Sequence, residues 1–482
     1  MKHTILTIAF LVPAFAFAGE GTDPTDYHMT NNTGVRNLTV PSGDVTNFTG
    51  KFTTPENMTK TLTFDGGGTA VLNNPENTMA CKVVANPAYV RFDAAGSSGS
   101  GVLSMAGDSS SSTPKQFQFN AEGATFPNKL EMTGTKTNSG YEYAPFKFLK
   151  SCTLSGDIVN TSTKYMQIID DPLERPTVVF TGGISSSKAT ITLSPSGIFK
   201  IEGAMSLQGQ QLSLVETSAP VGGAVELWNP ANAISTVNIQ HQSLKLMAAD
   251  VITNATIYLG SVEATYSGTE GVADIMIAAD QHIAGFTSST HVRDMTAGVV
   301  RATDAATLTI GGIANGDCRF AFAGPLSIVF AGGEGLRQEF NYRSSSMTGS
   351  ITVSNGTFHV GSSAKFPDVS EVDVEGGLLS IESTANCFAS ATKLKVANGA
   401  QLLIYNDATT PFTNELMKVE IGASGKIESS GDVSLTIPAN GLSIGGVELP
   451  KGTYSSATHP DNIGEGITIK CNKKSGLIVI FR

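Results

Sequence analysis

Between residues 346 and 430, short runs of alternating apolar and polar residues recur, each broken by a glycine-bearing turn. Four copies read SITVSNGTFHV, EVDVEGGLLSI, KLKVANGAQLLI and KVEIGASGKIES. In each, a β-branched residue (Val353, Val374, Val396 or Ile421) precedes a turn glycine (Gly356, Gly377, Gly399 or Gly425), so the copies follow one another every 21 to 26 residues. Alternation over four to six residues is the pattern of a half-buried strand, and Asn-Gly or Gly-Gly marks a corner. One such unit has a single apolar face that it cannot bury by itself; stacking copies closes a continuous column. The pattern therefore predicts a β-solenoid with Val353, Val374, Val396 and Ile421 in one file.

Elsewhere the rhythm is looser. From Gly19 to about Lys150, plausible strands at VRNLTV (35–40), TLTFDGGGTAVLNN (61–74), QFQFNAEGATF (116–126) and FKFLKSCTLSG (146–156) are separated by polar stretches, including a Ser/Gly-rich loop over 96–114. Two prolines and a charge cluster in IIDDPLERP (168–176) suggest a boundary. Past it, short strands follow densely. Residues 264–298 are the least regular, and GVADIMIAADQHIAGF reads as a short helix or a protruding loop. The chain divides into an N-terminal β-rich region or cap (19–165), a solenoid (166–446, clearest over 306–430) and a C-terminal capping unit (447–482) containing Pro450.

Residues 1–18 stand apart. Met1-Lys2-His3 gives a basic start, Ile5–Val12 an apolar run too short to span a bilayer, and Ala16-Phe17-Ala18 a small-x-small cleavage signal. The expectation is a secretory signal peptide and an exported chain, outside the cell or on its outer surface, with the periplasm as the other possibility. No later run is long enough for a transmembrane helix.

Composition fits an extracellular repeat protein. Charged residues are 15%, against roughly 25% in ordinary soluble domains, and the 51 glycines suit many corners. A net charge of −11 argues against nucleic acid as a partner. The five cysteines (Cys81, Cys152, Cys318, Cys387, Cys471) are far apart and follow no metal-ligand spacing, so they read as small buried residues in strands. The sequons at Asn37, Asn47 and Asn57 are explained equally by turn and ladder chemistry.

The stretches ATLTIGGIANG, LSIVFAGG and FNYRSSSMTGSITVSNGTFHVGSSAKFP resemble the autotransporter-associated β-strand repeat. In that resemblance Tyr342, Ser344 to Thr348 and Gly349 occupy the turn and Thr352 to Val360 the strand. It is specific over about 306–405, and IGGVELPKGTYSS (444–456) is similar to the closing unit of such proteins. The resemblance implies a right-handed parallel β-helix. The chain departs from self-exporting members of the family: after the closing unit about 26 residues remain, ending in GLIVIFR with Phe481 penultimate. One strand cannot make a translocating barrel.

Parallel β-helices also host polysaccharide lyases and glycoside hydrolases, which need paired carboxylates, or carboxylates holding Ca²⁺ beside a base. Asp170-Asp171 is the only adjacent acidic pair, and Asp280, His282, His291, Arg293 and Asp294 fall within fifteen residues. A turn and a solvated loop explain the two groups without catalysis. No Gly-rich phosphate loop, Ser-elbow or zinc motif is present. The reading is a non-enzymatic surface or matrix rod contacting glycans or a cell-surface ligand, with no catalytic, cofactor-binding or metal residue assigned.

Overall fold

The computed structural model describes residues 19–473 except 31–36, 57, 87, 107–114, 134–144, 164–165, 216–222, 241, 261–273, 289–297, 315, 342–344, 383–386, 406–411 and 413–415. Residues 1–18, Asn57, Tyr342, Ser344 and Phe481 of the sequence reading lie outside these. No helix occurs among the described residues, and 52% are strand. The chain winds round three faces in constant order, and nearly every strand pairs in parallel with those one coil before and after it.

The first face is an eight-stranded sheet from Asn37–Thr39 to Met205–Ser206, followed by a nine-stranded sheet from Gln281–Ile283 to Val447–Glu448. The second is a twelve-stranded sheet from Glu20–Asp23 to Gly285–Ser288, followed by six strands from Gly316–Cys318 to Lys426–Ser429. The third begins with Tyr27–His28 and Phe52–Thr53 and continues as a ten-stranded sheet from Ala124–Phe126 to Ser346–Met347. The second face alone makes a rod about 80 Å long at roughly 4.8 Å per strand.

The predicted file is present. Val353 pairs with Val374, Val374 with Val396 and Val396 with Ile421, all buried. The same column runs back through Phe330, Ile310 and Ile283. Gly356, Gly377 and Gly399 have left-handed φ of 72°, 66° and 75°, which a glycine adopts without a Cβ clash. Gly425 is needed for a different reason: a Cβ there would lie 2.5 Å from the Val396 carbonyl oxygen. The Thr352–Val360 segment is two strands rather than one, because Gly356 turns the chain between Ser350–Asn355 on the first face and Thr357–Val360 on the second.

Coils also stack before residue 165, where the sequence rhythm is weak. Nine phenylalanines stand among the inward residues there, from Phe48 to Phe148, beside Leu, Val, Met and Ala. Phe92, Phe117 and Phe146 stack at 6.2 Å intervals with rings within 12° of parallel, and Phe119 lies 4.8 Å from Phe148. Every phenylalanine among the described residues is buried. Each such side chain contributes about 1.5–3 kcal/mol by leaving water. The spacing between paired strands of successive coils varies from 19 residues (Ala224 to Ser243) to 31 (Ser243 to Asp274). That variation is what blurs the period in sequence.

The prolines of IIDDPLERP do not interrupt the stack. Met166–Asp170 pairs with Phe146–Phe148 on one side and Ile191–Ser194 on the other. Nor does the described part of GVADIMIAADQHIAGF form a helix: Asp274–Ile277, Gln281–Ile283 and Gly285–Ser288 are strands on the third, first and second faces. Ile275, Ile277, Ile283 and Phe286 all point into the core, and that requirement overrides the local ambiguity.

Where a corner breaks the ladder, a buried amide replaces it. Asn77 Oδ1 accepts from Phe52 N and its Nδ2 donates to Ser97 O. Asn232 does the same between Met205 N and Val251 O, and Gln281 between Val251 N and Ala248 O. Gln338 reaches both backbone groups of Phe286, beside Gly316, where any Cβ would meet the amide. These bonds answer backbone groups that would otherwise be buried without a partner.

Both ends of the core are covered. The Tyr27 ring stacks 4.9 Å from Phe52 and stands edge-on to Phe48, while its hydroxyl donates to Asp23 Oδ2 at 2.7 Å. At the other end parallel pairing gives way to antiparallel: Val447–Glu448 folds back on Leu442–Ile444, and Gly452–Ser455 pairs with Ile467–Lys473. Asn462 Nδ2 lies 2.9–3.2 Å from the carbonyl oxygens of Gly422, Ala423 and Gly425. Tyr454 donates its hydroxyl to Pro450 O at 2.7 Å, closing the loop that contains the predicted capping proline.

Candidate functional site

Asp170 ends the strand Met166–Asp170 and Asp171 begins the turn that follows. Asp170 is buried and accepts from Ser196 N and Gly197 N, each at 2.7 Å. Burial pushes its pKa up, against the pull of those two N–H groups. Asp171 accepts from Leu173 N and Glu174 N and lies 3.6 Å from Lys147 Nζ. Its pKa falls: burial alone would raise it, but the N–H groups and Lys147 prevail. Asp170 thus ties its coil to the next, while Asp171 caps its own turn and faces Lys147 of the coil before.

Of the second group, Asp280 and His282 are described; His291, Arg293 and Asp294 lie outside the described residues. Asp280 Oδ1 accepts from Thr307 N at 2.7 Å, one coil on. His282 Nδ1 lies 2.5 Å from Asp250 Oδ1, a residue 32 positions earlier that the sequence grouping did not contain. Asp250 takes a left-handed φ of 57° in the turn that carries it, and its N–H donates to Asp280 O. His and Asp at this distance have the means for proton transfer. Both are about half exposed on the outside of a corner, and what they join is two successive coils.

A third cluster was not found from the sequence. His359 lies in TFHV, where Phe358 and Val360 point inward, so its ring faces out from the second face; it is nonetheless only 4% exposed. Its Nδ1 is 3.0 Å from Ser380 Oγ on the paired strand and its Nε2 is 3.5 Å from Glu382 Oε2. Tyr405 stands edge-on to the ring at 6.4 Å. Burial, and next the Arg337 guanidinium, lower the His359 pKa against the carboxylates of Glu339 and Glu382. Serine, histidine and glutamate in a chain have the chemistry of nucleophilic catalysis. Ser380, however, is 2% exposed and covered by the surrounding coils, a setting of packing rather than of access to a substrate.

The five cysteines are buried, and Cys81, Cys152, Cys318 and Cys471 form no disulfide. Burial raises the thiol pKa of Cys81, Cys152, Cys318 and Cys471, to about 12 at Cys152 and about 11 at Cys471. No group of three or more His, Cys, Asp or Glu among the described residues could hold a metal ion. No helix among them is long and apolar enough to cross a membrane.

The outward columns on the three faces are mostly polar, and ion pairs among the described residues join neighbouring coils. Lys393 lies 3.7 Å from Glu371 and 3.6 Å from Asp373, Lys245 lies 2.8 Å from Glu226, and Arg301 lies 2.5 Å from Asp274. No protein-family model, curated protein or solved structure matches this chain. The resemblance to autotransporter-associated repeats therefore rests on the quoted residues and on a β-solenoid fold compatible with it.

Proposed function

We propose that the chain is an exported, surface-displayed rod that contacts glycans or a cell-surface ligand and carries no catalytic activity, in the manner of the passenger-like repeats it resembles. The observation that supports this reading is the outward, mostly polar column repeated from coil to coil, with few charges for its area and some of them paired between neighbouring coils. Such a surface offers many weak, equivalent contacts along a rigid length, and their sum gives avidity without a pocket. Asp170, Asp280, His282 and His359 each hold a partner on a neighbouring coil, which favours contact over chemistry. Purified chain lacking residues 1–18 is expected to be retained by immobilised glycans and to leave pectin and other polysaccharides at unchanged viscosity. Depolymerisation of any of them would replace this reading with the lyase or hydrolase alternative; retention by none would remove the glycan.

A further inference from the structure

Trp228 is the one tryptophan in the chain and is 36% exposed, in a molecule that buries every described phenylalanine. It follows the strand Ala224–Leu227 on the third face, with Val225 and Leu227 in the core and Glu226 and Trp228 turned outward. The indole is held from several sides. Lys200 Nζ sits 4.7 Å from the ring centroid, and Nε1 donates to Glu226 Oε2 at 3.3 Å. Trp228 N donates to Ile201 O, and the next residue, Asn229, donates through Nδ2 to Glu202 O at 2.9 Å, tying the corner to the preceding coil. A single exposed aliphatic side chain is ordinary. A fixed indole flanked by donors and acceptors is a ready-made platform, because little freedom is lost when a ligand settles on it.

The flanking charges identify the ligand. Lys200 is 2.7 Å from Glu202, and Lys245 is 2.8 Å from Glu226. Each ammonium is already answered by a carboxylate, so the platform offers no excess positive field, and the chain as a whole carries −11. A polyanion has nothing to gain there. A neutral sugar ring does: its C–H face covers the indole, while its hydroxyls donate to Glu202 or Glu226 and accept from Lys200 or Lys245.

We propose that Trp228, with Lys200, Glu202, Glu226 and Lys245, is a binding platform for an uncharged pyranose unit of a neutral polysaccharide. This rests on the reading of the rod as a glycan-contacting protein and names the place and the sugar class. An open platform of this size gives a dissociation constant of roughly 1 mM for one short chain, and display of many rods supplies the avidity.

The lone tryptophan makes its fluorescence a reporter of this site alone. Maltohexaose, cellohexaose, xylohexaose and mannohexaose are titrated separately into the chain lacking residues 1–18, with polygalacturonate as the charged control. At least one neutral oligosaccharide is expected to change the emission saturably, and polygalacturonate is expected to leave it unchanged. By calorimetry, Trp228→Ala is expected to weaken that binding at least tenfold without lowering the melting temperature, and Trp228→Tyr to keep part of it. A response to polygalacturonate alone overturns the neutral-sugar assignment. Silence with every neutral probe, or undiminished affinity in Trp228→Ala, overturns the platform. Retention of the Trp228→Ala chain on immobilised glycan would then leave glycan contact standing elsewhere on the rod, whereas loss of retention by the unmutated chain ends both ideas.

Discussion

Val374 lies in direct register with Val396, one coil apart on the first face, and neither side chain is accessible to solvent. Each closes the cavity that the other would leave, so the pair is a local measure of how tightly successive coils depend on one another. Val374→Asn places an amide in that column with no partner within the strand ladder, at a cost of about 3 kcal/mol. Urea unfolding followed by circular dichroism is expected to show an early transition confined to the C-terminal coils, since neighbour-coupled repeats unravel where the interface fails. An unchanged midpoint would contradict the register.

Tyr27 covers the other end of the column and predicts an alkaline limit. Burial, followed by the hydrogen bond and charge of Asp23, pushes its pKa up to about 12. A phenol whose folded pKa exceeds its unfolded value favours the folded chain while it is protonated. Its contribution is full below about pH 10 and is lost as pH rises from about 10 to about 12. Ultraviolet difference titration should show a late-ionising tyrosine, and Tyr27→Phe should remove that step together with part of the alkaline loss of stability.

His359 predicts an acid limit. Its folded pKa lies below 6.5, so the unfolded chain takes up the proton more readily. The stability that depends on the neutral ring is present above pH 6.5 and is lost as pH falls from there through the folded value. His359→Gln, which keeps a hydrogen-bonding partner for Ser380, is expected to flatten the dependence of melting temperature on pH in that range. The same slope in both proteins would assign the acid sensitivity to another group.

The cysteines predict silence. Five thiols that are buried, with raised pKa values at four of them, have neither the access nor the thiolate fraction to react. A thiol reagent is expected to find none in the native chain and all five after unfolding in denaturant. Fast labelling of one under native conditions would mark a coil that opens locally.

Removal of residues 447–482 takes away the antiparallel closing strands and the Asn462 contacts to three carbonyls. The remaining end presents unpaired parallel edges, which invite pairing between molecules. Light scattering is expected to rise at once on purification, and a monomeric truncation would show that the core ends are self-sufficient.

The file from Val353 to Ile421 and its turn glycines were legible because one position of each copy must be inward and β-branched while another must be Gly. Coils before residue 165 were not, since phenylalanines at unequal spacing carry the same packing without a fixed period. Asp250 and His282 were separated for a related reason: they meet one coil apart, 32 residues along the chain, and no local window holds both. His359 looked like an outward strand residue and is one by alternation, yet it is covered by groups from later coils. The outward position of Trp228 follows from alternation with Val225 and Leu227, but the lysine pinning it comes from the coil before, which only the register reveals.

The amides of Asn77 and Asn232 each join backbone groups of the coils on either side, and those of Gln281 and Gln338 each hold backbone groups of an earlier coil. Insertion of a few residues within a face would strand those groups, whereas duplication of an entire winding would carry its own amide along. Growth of such a molecule over evolutionary time is thereby quantised: it lengthens or shortens by complete windings, and any reach it acquires comes in equal steps.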